Sequence, residues 1–88
     1  MKFYKRKSSI TSAKLDNKFS LFITNIGSYV NLNSTASLIW QNLESKLSIE
    51  ELKKIILNKF EVDEDLLEKD LLSFLERAET LGIVDIYE

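Results

Sequence analysis

The fold is decided where the chain changes from a strand-like pattern to a helical one. Residues 28–40 read SYVNLNSTASLIW. The first part of this stretch favours a strand, whereas the apolar residues from Ala36 to Trp40 recur at helical spacing. Asn33 lies between the two patterns and is a good helix N-cap. The stretch therefore predicts a strand over residues 28–32 that leads directly into a first helix.

Two further strands are predicted before this stretch. Residues 18–24 have the period-2 pattern of a strand, with Leu21 and Ile23 on one face. Residues 16–17 and 25–27 read DN and NIG, which are plausible hairpin turns. The sequence thus predicts three antiparallel strands, at residues 9–15, 18–24 and 28–32.

Two further helices are indicated by their caps. Ser48 begins a capping box, and the apolar face that follows continues to Phe60. Asp63 is a second N-cap, after which an apolar stripe runs for about four turns to Leu81. Gly82 stands where a glycine commonly ends a helix. The third helix is therefore expected to be the longest element.

Strands followed by helices predict an α+β fold, and nothing between residues 1 and 88 resembles an interdomain linker. We therefore expect one domain. Residues 1–8 are expected to form a basic, mobile head, and residues 83–87 either add an extended segment or dock on the core. The spacing of Trp40, Phe19, Phe22 and Phe60 indicates core residues rather than groups that stack on a ligand.

The composition excludes several kinds of catalytic site. The chain has no Cys and no His, so disulfides, thiolate zinc sites and histidine general bases are impossible. Seven acidic residues lie within residues 63–79, where their spacing is typical of a solvated helix face. Asp70 is the exception, because it lies at the margin of the apolar stripe and could bind a backbone or a ligand. We predict no metal, no cofactor and no enzymatic activity.

Charge is distributed unevenly along the chain. Residues 1–31 contain six basic residues and one acidic residue, whereas residues 32–88 contain six basic and thirteen acidic residues. Such a division favours two surfaces with different partners. No apolar run reaches the length of a membrane span, and no signal-peptide pattern is present. We expect a cytoplasmic protein with no membrane partner.

The third predicted strand has one edge with no predicted partner. It follows a hairpin, leads directly into a helix, and carries neither a charge nor a proline, the residues that usually protect an open edge. Such an edge is either paired in a homodimer or kept for an incoming strand. We therefore expect a monomer or weak homodimer, and we expect Val30→Pro to abolish strand addition if the domain still folds.

Four segments together resemble one known family: NLNSTASLIW (31–40), SIEEL (48–52), DLLSFL (70–75) and LGIV (81–84). They are similar to the PqqD-like proteins, the RiPP recognition elements, which bind precursors of ribosomally made, post-translationally modified peptides. The resemblance extends from about residue 10 to residue 84. It implies three antiparallel strands followed by three helices, in an arrangement like a winged helix-turn-helix.

The resemblance also implies how a ligand is bound. The leader segment of a precursor is expected to add as a further antiparallel strand to the third strand, with its side chains entering a groove beside the third helix. The residues that this places at the leader are Ser28, Tyr29, Val30, Asn31, Leu66, Asp70, Ser73, Phe74 and Arg77.

The function implied by the resemblance is that of a non-catalytic adaptor in natural product biosynthesis. It presents a precursor to a maturation enzyme, such as a radical SAM enzyme or, in lasso-peptide systems, a leader peptidase. The alternative is a winged-helix DNA-binding protein, with the second and third helices as its helix-turn-helix. Residues 63–79 hold seven acids against only Lys69 and Arg77, and phosphates would repel such a helix. No nucleic-acid partner is therefore expected.

Overall fold

The computed structural model describes residues 1–88 and contains three helices and two small antiparallel sheets. The strands are Phe3–Arg6 (β1), Thr11–Leu15 (β2), Lys18–Ile23 (β3), Ser28–Asn31 (β4) and Val84–Tyr87 (β5). The helices are Ser34–Asn42 (α1), Ile49–Lys59 (α2) and Glu64–Leu81 (α3). The predicted α+β fold, with a three-stranded antiparallel sheet followed by three helices, is confirmed.

Strands β2, β3 and β4 form the larger sheet in sequential order, with β3 in the middle. Asp16 and Asn17 both have positive φ, 53° and 68°, as the two central residues of a type I′ hairpin turn require. Gly27, at φ 61°, is the last residue of the turn between β3 and β4. Leu21 and Ile23 of β3 are buried, so one face of this sheet packs on the core as the period-2 pattern predicts.

The second sheet corrects the prediction of a mobile head. Residues 3–6 form β1, which pairs antiparallel with β5 in a register that places Phe3 opposite Tyr87. On its other side, Tyr4 exchanges backbone hydrogen bonds of 2.7 and 2.9 Å with Leu47, and the Tyr4 side chain is buried. The two ends of the chain therefore hold each other as strands. A local pattern cannot reveal this pairing, because its partners are far apart in the sequence.

The helix ends follow the predicted caps. The side chains of Asn33, Ser48 and Asp63 each accept a hydrogen bond from the backbone N–H three residues later, at 2.8, 3.2 and 2.9 Å. Glu51 Oε1 accepts in return from Ser48 N at 3.1 Å, which completes the capping box. Gly82 ends α3 in the left-handed region at φ 70°. The N-cap residues thus fix the beginnings of all three helices, and Gly82 fixes the end of α3.

The core is one cluster of sixteen buried apolar residues drawn from both sheets and all three helices. Trp40 belongs to it, as predicted, and the partly buried Phe19 packs against it, but Phe22 and Phe60 are not among the buried residues. Phe22 alternates with Leu21 and points to the outer face of the sheet, where its ring meets that of Tyr29 edge-on at 5.0 Å. Phe60 is 42% exposed, because α2 ends at Lys59 and Phe60 is already extended.

Ion pairs join α2 to α3. Lys53 Nζ lies 3.5 Å from Oε1 of both Glu64 and Glu68. Desolvation lowers the pKa of Lys53, but attraction by Glu68 and Glu64 outweighs it, so the pKa of Lys53 is raised above its ordinary value. These pairs account for two of the acidic residues of α3 as structural partners. No helix of the chain is long and apolar enough to span a bilayer.

Candidate functional site

Strand β4 lies at one edge of the three-stranded sheet. It pairs antiparallel with β3, with Val30 opposite Leu21 and Tyr29 opposite Phe22. No strand lies on its other side. The structure thus leaves one edge of β4 unpaired, as the sequence predicts.

The hydrogen-bond pattern identifies the backbone groups of β4 that face outward. Leu32 N donates to Phe19 O at 2.8 Å. In an antiparallel pair, residues bonded to the partner strand alternate with residues whose N–H and C=O point away from it. Val30, two residues before Leu32, is therefore bonded to β3. Tyr29 and Asn31 direct their N–H and C=O groups to the open edge.

The opposite edge of the sheet is built differently. Every residue of β2 is exposed, so this strand lies against neither the core nor a helix. It also carries Lys14, whose ammonium lies over the Phe19 ring at 5.7 Å from the centroid. A lysine on an edge strand opposes the addition of further strands. Of the two edges, β4 is the one suited to receive a peptide.

A cleft of about 210 Å³ lies between the end of β4, the beginning of α1 and the middle of α3. Its lining includes the buried side chains of Ile39 and Ala78, and polar groups are contributed both by α3, at Asp70, Ser73 and Arg77, and by the end of β4 and the beginning of α1, at Asn31, Asn33 and Thr35. The cleft therefore offers both apolar and charged surface immediately beside the free edge of β4.

The structure brings most of the predicted site residues together. Six of the nine line the cleft: Val30, Asn31, Asp70, Ser73, Phe74 and Arg77. Ser28 and Tyr29 extend β4 beyond the cleft. Leu66 lies one turn before Asp70 on the same face of α3 and is 57% exposed. The three residues outside the cleft thus lie on β4 and α3, two of the elements that form its walls.

The contribution of α1 to the cleft is not among the sequence predictions, which place the site on the strand and on α3 alone. Leu32, Asn33, Thr35, Ala36 and Ile39 all line the cleft. A signal for this is present in residues 28–40, because a strand that enters a helix through a single N-cap must place the first helical turn beside its own end. The first turn of α1 therefore forms a third wall of the site.

Ser37 holds the junction of β4 and α1 against β3. Its buried Oγ accepts from Phe19 N at 2.9 Å and donates to Leu32 O at 3.4 Å. We expect Ser37→Ala to leave the Phe19 N–H without an acceptor and to lower the free energy of unfolding by about 1–3 kcal/mol. Urea denaturation measures this loss. Ser34→Ala, at an exposed position in the same helix, is the control and should change stability by less than about 0.5 kcal/mol; equal losses would contradict this role of Ser37.

The charged groups of the cleft have no partners within the chain. The ion pairs are those of Lys7 with Asp85 and of Lys53 with its two glutamates, and none includes Asp70 or Arg77. No group of three or more His, Cys, Asp or Glu is arranged to hold a metal ion. An unpaired strand edge beside a cleft with free charges is suited to an extended peptide, which supplies backbone partners and alternate side chains.

Comparisons with known proteins agree with this architecture. A family model described as "Coenzyme PQQ synthesis protein D (PqqD)" matches residues 16–84. The chain is similar to TbiB1 in complex with the TbiA(beta) leader peptide, with 28% identity, a TM-score of 0.77, and coverage of 92% of this chain and 94% of that one. A lasso peptide synthetase B1 complexed with the leader peptide shares the fold, with 24% identity, a TM-score of 0.74, and coverage of 93% and 96%. No curated protein has significant sequence similarity to the chain.

Proposed function

This chain belongs to the PqqD family, and from that premise we propose that it is a non-catalytic adaptor for a precursor peptide. It binds the leader segment of the precursor by strand addition to β4 and presents the remainder to a maturation enzyme. The observation that carries the proposal is the outward-facing backbone of Tyr29 and Asn31 beside the cleft of α3. The similarity to TbiB1, a structure that contains a leader peptide, supports it.

Two parts of the site have different tasks in this proposal. Backbone pairing with Tyr29 and Asn31 recognises any extended peptide, so selectivity comes from the side chains. Side chains of an added strand alternate between two faces. Those opposite Val30 turn towards the cleft, because Val30 lies on the core face of the sheet with Leu21. Those opposite Tyr29 turn towards the outer face, where the ring of Phe22 is available.

The affinity expected from this mode is moderate. A free leader is disordered, and ordering it offsets several kcal/mol of the interaction energy. We expect dissociation constants from about 1 μM to tens of nanomolar, or about −8 to −10 kcal/mol. Moderate affinity suits a carrier that releases its cargo. While docked on a leader peptidase or a radical SAM enzyme, the adaptor raises the effective concentration of the precursor at that active site.

Calorimetric titration tests leader binding directly. The probes are synthetic leader peptides from the short reading frames next to the gene of this chain, and we expect at least one to bind with a dissociation constant of about 1 μM or below. Binding no tighter than about 100 μM for all of them would contradict the proposal. Gel shifts with duplex DNA at low and high salt provide the comparison, since salt-dependent DNA binding is expected of a winged-helix DNA-binding protein.

A scan of the bound peptide with N-methyl amides tests the binding mode. In an added strand, every second N–H donates to the carbonyl of Tyr29 or Asn31, and the intervening N–H groups face solvent. Methylation at every second residue should therefore weaken binding by about tenfold or more, whereas methylation at the intervening residues should be tolerated. A peptide equally sensitive at all positions, or at none, would rule out strand addition.

A further inference from the structure

Asp70 and Arg77 place two opposite charges on the wall of the cleft. Both line it, and neither forms an ion pair or a side-chain hydrogen bond within the chain. Asp70 is partly buried, whereas Arg77 is exposed. These are the charges of α3 that an added strand on β4 would pass.

The distance between the two charges sets the spacing of complementary groups on a peptide. Arg77 is seven positions after Asp70, which corresponds to about 10 Å along the helix axis at a rise of about 1.5 Å per residue. Side chains on one face of an extended strand recur about every 7 Å. Partners two or four residues apart in the strand therefore lie about 7 or 13 Å apart, and the long side chain of Arg77 accommodates either spacing.

Covering the cleft makes these charges selective. A peptide that lies over the partly buried Asp70 removes the carboxylate from water, which is unfavourable unless the peptide supplies a compensating group. The same holds for Arg77 to the extent that the peptide covers it. A leader without complementary charges is therefore penalised at the cleft, even if its backbone pairs fully with β4.

We propose that the preferred leader carries one basic and one acidic side chain on its cleft-facing side, two or four residues apart. The basic side chain pairs with Asp70 and the acidic side chain with Arg77. This inference rests on the proposed leader binding and names the charge pattern of the ligand. Charge complementarity in the cleft thus selects among peptides that the strand edge alone would accept.

Selection from a library of random dodecapeptides displayed on phage tests the charge pattern, and it does not require the natural leader to be identified. The full chain is immobilised in low salt, and selection is repeated with Asp70→Lys combined with Arg77→Glu. We expect the wild-type protein to enrich peptides with a basic and an acidic residue two or four positions apart. The charge-reversed variant should enrich the same pair in the opposite order along the peptide.

Affinities of a selected peptide identify the partner of each charge. We expect Asp70→Asn and Arg77→Gln each to weaken binding about three- to tenfold in fluorescence polarisation. Each loss should disappear when the matching residue of the peptide is replaced by Gln. Lys69→Gln and Glu76→Gln are matched controls, because these exposed charges lie on α3 but do not line the cleft. They should change affinity by less than about twofold.

The outcomes separate this inference from the proposed function. Tightly bound peptides without a charge pair would overturn the charge pattern and leave peptide binding intact. A loss at Asp70→Asn that persists with the neutralised peptide would likewise overturn it, since Asp70 would then bind the peptide backbone. If no selected peptide binds more tightly than about 100 μM, both proposals fail. Circular dichroism of each variant verifies that it is folded.

Discussion

Replacing Trp40 by alanine is expected to lower the free energy of unfolding by about 3–5 kcal/mol. Trp40 is 1% exposed at the centre of the core, and the Arg6 guanidinium lies 5.6 Å from its ring centroid. A small domain has a total stability of about 5–15 kcal/mol, so this one change removes a large part of it. Urea unfolding followed by circular dichroism measures the loss, since the variant lacks the only tryptophan of the chain.

Trp40→Phe is the control for this prediction. The indole Nε1 of Trp40 is buried and donates to no acceptor, which is unfavourable because burial has removed its bond to water. Phenylalanine keeps an aromatic ring in the core and removes that N–H, so we expect it to cost less than about 2 kcal/mol. A loss as large as that of Trp40→Ala would show that packing of the ring is not what stabilises this site.

The elements predicted correctly from the sequence are those whose signals are local. A cap and its partner lie within four residues of each other, as at Ser48 and Glu51, and the two-residue turn of Asp16 and Asn17 fixes its own hairpin. The pairing of β1 with β5 depends instead on contacts between the two ends of the chain. Phe60 shows a related difficulty, because an apolar stripe continues past the residue at which the backbone leaves the helix.

The candidate site can be predicted from the sequence only in outline. An uncharged strand between a hairpin and a helix indicates an open edge, and the phase of α3 places Asp70 at the margin of its apolar stripe. The sequence does not show which backbone groups of that edge are free. It therefore favours Val30→Pro as the change that removes an edge N–H. The ladder of backbone hydrogen bonds between β3 and β4 instead places the Val30 N–H between these two strands.

The ladder makes Tyr29→Pro the substitution with the largest expected effect on peptide binding. Proline at this position removes the outward N–H that an added strand needs, while the bonds between β4 and β3 remain. Proline is tolerated in an edge strand when its nitrogen faces away from the neighbouring strand. We expect leader affinity to fall by about 100-fold or more, because one backbone bond is lost and the ring obstructs the approach of the peptide.

Tyr29→Ala is the matched control, since it removes the same side chain and keeps the N–H. It loses the ring contact with Phe22 and should weaken binding by about tenfold at most. Val30→Pro should behave differently from both, because it breaks the ladder to Leu21 and destabilises the sheet itself. Titration calorimetry with one leader peptide, together with urea unfolding of each variant, separates these effects. If Tyr29→Pro folds and binds the leader as tightly as Tyr29→Ala does, the leader does not pair with β4 at this residue, and strand addition at this edge is wrong.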